Sequence, residues 1–491
     1  MTSAHYTPHG GKAEQISPLP ARDTQHIPSS TDRDKIVRDE ITRLEKEFGP
    51  TAPHLTKSDF LDGLQHITPL SLSVLRRIYA PDGPWGKILR QYFIPVPRFD
   101  PRRYLVSVFG RPYINKDLED SILAAGGIRR YFGTLRMYME MYYLYRKNTR
   151  VATNTSQRDK TTAQILHRIL EHTAPLLFRI ALYQKTCADY LRSHLHGHVA
   201  EDEWLSLVTP VASDSTPPNL SCRTLEEFEL SVPRWGEDPR ILARMQARVA
   251  RAPSATDSAR IRDLRETTID RIQSIWERQK LSLFFSLYDF FSRMREEAHS
   301  ALLMDLYELR RALLTIDHDA RWHNTVWYAD IETVLERPDS LSFTRLRKAQ
   351  QAHETMREIA PPEEIKDVQW DDMVHEEPAH NPTRRTQSPD TSYAGVPLSP
   401  GHASGVTGTM QDLENGTVVD ILVTENLDPS LTVFFGSIKG IVCERGGELS
   451  HVAIVAREYG IPILRMLDAV ATIPSGTTIT LDTTEKSART I

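Results

Sequence analysis

The sequence predicts a multidomain chain: a long, mainly α-helical unit followed by a smaller α/β unit. Three observations lead there. At 491 residues the chain exceeds what one hydrophobic core holds, so two or three domains are expected. Across 34–362 apolar residues recur at helical spacing, as in Ile36, Val37, Ile41, Leu44 and Phe48. From 394 onward the pattern changes to short apolar runs broken by glycines. The domain reading is therefore a disordered tail at 1–33, a helical unit at 34–362, a flexible linker at 363–393 and an α/β unit at 394–491.

Composition narrows the function classes. A formal net charge of −5 gives no footprint for nucleic acid or for an acidic membrane. Three widely spaced cysteines, Cys187, Cys222 and Cys443, fit a reduced cytoplasmic protein without a disulfide framework. The first 33 residues, rich in Pro, Ser, Thr and His, have no apolar segment of a signal peptide. No run of 18 apolar residues occurs, so no membrane span is expected.

Within the helical unit, Thr68-Pro69 starts a helix with proline in its first turn. The stretch from Tyr104 to Asn115 alternates like a strand pair around Gly110. The chain is helical in character over 121–195, with Met137, Tyr138, Met139, Met141, Tyr142, Tyr143 and Tyr145 as a soft aromatic surface. Such a stripe serves either as helix-packing core or as an adaptable pocket. His194, His196 and His198 alternate with no Cys or carboxylate partner at fixed spacing, the pattern of a polar loop rather than a metal site. Residues 210–219 read as a loop, and 256–314 as two or three long antiparallel helices. The linker, about thirty residues long, has a typical end-to-end distance of roughly 30 Å.

The chemistry concentrates near the C-terminus. Ile441 to Cys443 is a buried strand, Gly446-Gly447 a turn, Ser450 an N-cap, and Val452 to Tyr459 a helix stopped by Gly460 and Pro462. His451 thus sits in the first helical turn, where free N–H groups and the helix dipole favour an anion. It is either an ordinary residue of a helix start or an imidazole placed to carry a phosphoryl group. Arg457, on the same helix, is either a solvated arginine or a phosphate contact.

This stretch resembles the phosphohistidine motif of the phosphoenolpyruvate-utilising enzymes, the family of phosphoenolpyruvate synthase, pyruvate phosphate dikinase and rifampicin phosphotransferase. The motif reads Gly-Gly-x-x-Ser-His-x-Ala-Ile-Val-Ala-Arg-Glu-x-Gly-Ile-Pro. Gly446, Gly447, Ser450, His451, Ala453 to Glu458 and Gly460 to Pro462 match it. Thr68-Pro69-Leu70-Ser71 with Ser73, and Gly110-Arg111-Pro112-Tyr113-Ile114-Asn115, are similar to landmarks of the rifampicin-type substrate domain. So are Arg293-Met-Arg-Glu-Glu297 and Thr325 to Glu332. Leu398-Ser-Pro-Gly401 with Gly405, and Ile421 to Thr424 with Asp428-Pro429, resemble landmarks of the carrier domain. Beyond the motif the likeness weakens: Ile463 to Met466 and Asp482 to Lys486 replace the family's small apolar residues and closing glycines.

The resemblance implies a helical substrate-type domain and a C-terminal swivelling phosphohistidine domain. It makes His451 the phosphoryl carrier, with Gly446, Gly447, Ser450 and Arg457 as phosphate-binding support. It implies a small-molecule acceptor and phosphotransferase chemistry of the dikinase type. In the family an ATP-grasp domain loads the histidine. No Gly-rich phosphate loop for it is found here, so ATP and Mg²⁺ are expected on a separate ATP-grasp protein, with no metal or cofactor held by this chain. Two alternatives stand beside this: a non-catalytic scaffold that keeps the fold, and an ATP-driven subunit that joins small molecules, as a prodigiosin-forming relative does.

Overall fold

The computed structural model describes the chain except residues 1–29, 57–65, 125–128, 152–160, 197, 200–203, 205–206, 209–218, 225–226, 250–257, 358, 360, 363, 376–391, 415–416, 428, 449 and 491. The expected tail, the 210–219 loop (save Asn219), Asp428 and the middle of the expected linker therefore lie outside the described residues.

The helical unit is built on one very long helix. No glycine or proline interrupts the sequence from Ile275 to Asp319, and that whole span is a single 45-residue helix capped by Ser274. The expected two or three antiparallel helices over 256–314 are two: Ser258–Asp270, and this one folded back along it, with Arg265 holding Asp289 at 2.7 Å. Following the chain, the other principal helices here are α1 (Ser30–Phe48), α2 (Pro69–Ile78), α3 (Pro84–Gln91), α4 (Arg129–Arg146) and α5 (Ala174–Leu195). Then come α6 (Pro239–Val249), the long α7 (Ile275–Asp319) and α8 (Phe343–Arg357). α5 packs along α7 through Leu177, Ile180, Tyr183, Leu191 and Leu195, all buried. Of the soft stripe on α4, Met137 and Met141 enter this core and Tyr138 sets its ring edge-on to Phe284 at 5.8 Å, while Met139, Tyr142 and Tyr143 face outward.

The motif at 68–73 has a structural explanation. Thr68 and Ser71 both donate their hydroxyls to Glu229 Oε1, at 2.8 and 2.9 Å, and the Thr68 and Ser231 amides also donate to this carboxylate, each at 2.8 Å. Ser71 Oγ then accepts from Leu230 N, and Ser73 Oγ from Ile331 N. A short helix start thereby locks two distant segments. Glu229→Gln turns an amide donor toward these donors. The expected cost is about 2 kcal/mol of unfolding free energy, read from chemical denaturation against wild type.

A small antiparallel sheet in the order β2-β3-β1-β4 backs this unit: β1 (Leu55–Thr56), β2 (Leu105–Val108), β3 (Arg111–Asn115) and β4 (Glu364–Ile365). Phe109 and Gly110, with φ of 49° and 75°, make the two-residue turn of the β2–β3 hairpin. The Gly110 Cβ position lies 3.1 Å from the His353 ring, so glycine is needed for space as well as for φ. His353 is buried beside this turn, and burial lowers its imidazole to about 4, with Arg357 adding in the same direction and Glu229 and Glu40 opposing. The native state therefore holds His353 neutral where the unfolded chain, near 6.5, binds a proton. Stability contributed by this neutral burial is present above the unfolded value and falls as pH drops from about 6.5 toward 4. His353→Leu should flatten the decline of melting temperature over that window.

The expected linker starts later than residue 363. β4 pairs Ile365 with Leu55, Trp370 is buried with its Nε1 donating to Gly49 O at 2.9 Å, and Met373 joins the same core. Apolar side chains in a Pro- and Asp-rich stretch are few, but three suffice to bind it to the sheet. Likewise α1 begins at Ser30, four residues earlier than the periodicity places it.

The C-terminal unit is an eight-stranded mixed sheet in the order β5-β12-β11-β7-β8-β9-β10-β6. Its strands are β5 (Ser392–Ala394), β6 (Val396–Ser399), β7 (His402–Gly408), β8 (Ile421–Asn426), β9 (Gly440–Arg445), β10 (Ile463–Arg465), β11 (Thr478–Asp482) and β12 (Ser487–Thr490). β7 to β10 run parallel, and α9 (His451–Glu458) crosses from β9 to β10. Among the described residues no helix is long and apolar enough to cross a membrane.

Candidate functional site at the histidine loop

β9 ends at Arg445 and the chain turns at once. Gly446 takes φ 151°, and a Cβ there would meet the Leu427 side chain at 2.5 Å. Gly447 O accepts from Ser450 N at 3.1 Å, closing the turn. Ser450 is the N-cap, in extended backbone, with its Oγ accepting from Ala453 N at 3.3 Å. Val452, Ala453 and Ala456 then bury one face of α9 completely. Gly460, at φ 66°, ends the helix, and Ile461 N closes back on Ala456 O at 2.8 Å. The strand, glycine turn, cap and helix therefore stand at the positions read from the sequence. His451 opens the helix at the carboxyl end of a parallel strand, where α/β sheets receive their ligands.

Arg457 is 4% exposed, so it is not the solvated arginine of one of the two readings. Its Nε and Nη2 donate to Leu398 O at 3.1 and 3.0 Å, and Nη2 also to Glu448 O. One guanidinium thus ties α9, β6 and the histidine loop together. Burial depresses it below the ordinary arginine range. A second guanidinium, Arg465, donates to Gly446 O at 3.0 Å, holding the other end of the loop.

The loop faces the helical unit. Arg192 on α5 lies 3.6 Å from Glu448 Oε2. Tyr288 on α7 stands near enough to Arg457 for the cation to oppose the rise of its phenol, which burial takes to about 12. Leu220 and Trp235, with half-buried Ile241 and Leu242, share one apolar cluster with Leu431, Phe434, Phe435 and Val452 of the C-terminal unit.

Behind this face a polar row runs along α7 at helical spacing: Tyr288, Ser292, Arg295 and His299. Gln184 bridges Arg295 and Ser292 at 2.8 and 2.9 Å. His299 and Arg223 meet the two oxygens of Glu227 at 3.1 and 3.0 Å. Arg234 is fully buried beside them, and burial lowers its guanidinium to about 10. Of the 293–297 motif only Arg295 belongs to this row; Arg293 and Glu297 hold the 148–151 turn through Asn148 and Val151. Thr325 to Glu332 is likewise structural: Asp317 accepts from Asn324 and Val326, and Glu332 pairs with Arg77 at 2.6 Å. His194 stacks on Tyr190, and among the described residues no group of three His, Cys, Asp or Glu could hold a metal ion.

Sequence reasoning missed Arg192, Glu448, Tyr288, Arg465 and the Glu227 cluster. Glu448 fills an unspecified position of the motif; the others lie outside it, and the fold alone brings them to this face.

Residues 417–486 match the family described as PEP-utilising enzyme, mobile domain. The chain carries this mobile domain. Its histidine loop, β9 and α9 all fall inside the matched residues. Among similar proteins, the prodigiosin synthesizing transferase PigC of Serratia marcescens is 26% identical over 285 residues, covering 54% of this chain and 31% of that protein. Rifampicin phosphotransferase of Bacillus cereus is 30% identical over 165 residues, covering 33% of this chain and 18% of its own length. Phosphoenolpyruvate synthase of Aeropyrum pernix is 29% identical over 199 residues, covering 38% and 22%. The chain thus spans less than a third of the length of the curated relatives it matches.

Proposed function

We propose that His451 is a phosphohistidine carrier. A phosphoryl group comes from ATP held with Mg²⁺ by an ATP-grasp domain outside these residues, which we take to be a separate protein. In the loading step the donor P–O bond breaks, a P–N bond forms to one imidazole nitrogen, and the proton on that nitrogen leaves. In delivery the P–N bond breaks, a P–O bond forms to a hydroxyl of a small organic acceptor, and the hydroxyl proton passes to the freed nitrogen. The residues on this chain bind and orient. Amides of the Gly446-Gly447 turn and free amides in the first turn of α9 are offered to the anion, while Arg457 and Arg465 fix the loop they belong to.

The observation that carries this reading is the capped helix start, with His451 its first residue, held against a helical unit rich in buried polar groups. The α7 row and the Glu227 cluster are the acceptor side. The test is incubation with ATP labelled at the γ or the β phosphate, with and without an ATP-grasp protein, followed by mass spectrometry for acid-labile phosphate. Phosphate on His451 that requires the ATP-grasp protein is expected. Stoichiometric labelling of the purified chain alone would overturn the division of labour, and no label under any condition would favour a scaffold. The longer overlap with a protein named for prodigiosin synthesis favours a second reading, in which the carrier activates one of two small molecules for joining. A coupled product free of phosphate would select it.

A further inference from the structure

We propose that Arg192 is a positioning residue for the phosphoryl group carried by His451: it exchanges the Glu448 carboxylate for phosphoryl oxygens when the loaded mobile domain docks. This rests on the carrier reading above.

Arg192 projects from a fixed base. Tyr190, two residues before it, stacks between Phe284 at 3.6 Å and His194 at 3.9 Å, and Leu191 and Leu195 are buried. The side chain itself is 52% exposed, with its guanidinium over the Trp204 ring at 5.6 Å. Its contact with Glu448 Oε2, at 3.6 Å, is longer than a hydrogen bond. Half-exposed pairs of that kind contribute little, so this one is cheap to exchange.

Glu448 stands three residues before His451, and its main-chain oxygen is held by Arg457. Its Oε1 is buried with no hydrogen-bond partner among the described residues. A phosphoryl group on His451 adds about two negative charges beside this carboxylate. Within the loop, Arg457 holds Leu398 O and Glu448 O, and Arg465 holds Gly446 O. Arg192 adds a cation from across the domain boundary. A planar guanidinium can bridge two oxygens of a phosphoryl group, which an ammonium cannot do with the same geometry.

The experiment needs no ATP-using partner. The full chain is phosphorylated with potassium phosphoramidate, which loses ammonia as the P–N bond to histidine forms, with His451→Ala as control for other histidines. Hydrogen exchange is then followed in peptides covering 186–196 and 445–456, comparing samples at equal fractions of phosphorylated His451. In wild type, loading should slow exchange at 186–196 at least about threefold. Arg192→Gln should remove that loading-dependent change, and Arg192→Lys should restore less than half of it. Glu448→Gln, which breaks the same ion pair but leaves the guanidinium, should keep or enlarge it. A merely structural ion pair would make Arg192→Gln and Glu448→Gln behave alike, and that result overturns the proposal. So does unchanged protection in Arg192→Gln. Failure of wild type to take phosphate at His451 at all overturns the carrier reading instead, and this inference with it.

Discussion

His451→Ala is expected to abolish phosphoryl transfer while leaving the fold intact. The nucleophile of a covalent intermediate has no substitute within the loop: Gly446, Gly447 and Ser450 offer amides and a hydroxyl that already accepts from Ala453 N. Loss of such a group costs at least about a thousandfold in rate. The fold should not notice. Ser450, not His451, caps the helix, and Val452, Ala453 and Ala456 bury its inner face. Alanine at a first helical position is well tolerated, so the melting temperature should stay within about 2 °C. Acid-labile phosphate and a thermal melt on the same preparation check both halves; full turnover in the variant would remove the carrier role.

Arg457→Ala should have the largest effect on stability and should damage the site without touching the reacting atom. Removing the guanidinium leaves Leu398 O and Glu448 O without their donor in a buried place. Hydrogen bonds from a charged donor contribute about 1.5–3 kcal/mol each, so a loss of about 3 kcal/mol or more is expected. The stem of a side chain only 4% exposed adds a packing loss. Lysine should recover less than half, because one ammonium cannot span β6 and the loop together. Denaturant unfolding reads the first effect. Hydrogen exchange across 445–456 reads the second, which should rise in the alanine variant even well below its midpoint. Unchanged exchange there would mean that the loop holds its shape without the clamp.

The sequence by itself determined the histidine loop. Strand, glycine break, serine cap, helix and glycine stop are local features, each set by residues within a few positions of one another, and the structure has them from Gly440 to Gly460. It also determined the β2–β3 hairpin, through Gly110, and the change from helical to strand periodicity near 394. The two helices of the 256–314 region were legible too, although the second runs on to Asp319.

Only the tertiary structure decided what Arg457 does. An arginine on a helix reads as solvated or anion-binding, because a lone sequence does not say that two orphan carbonyls, 9 and 59 residues away, converge on it. The same holds for residues 364–375, whose composition reads as linker until Leu55 and Gly49 supply partners for Ile365 and Trp370. Arg192 and Glu448 carry the point furthest. They are 256 positions apart, each unremarkable in its own segment, and they meet because the C-terminal unit packs on Leu220, Trp235, Ile241 and Leu242. Contacts at that separation depend on how whole units pack, and packing is set by the summed fit of many apolar side chains rather than by any local pattern.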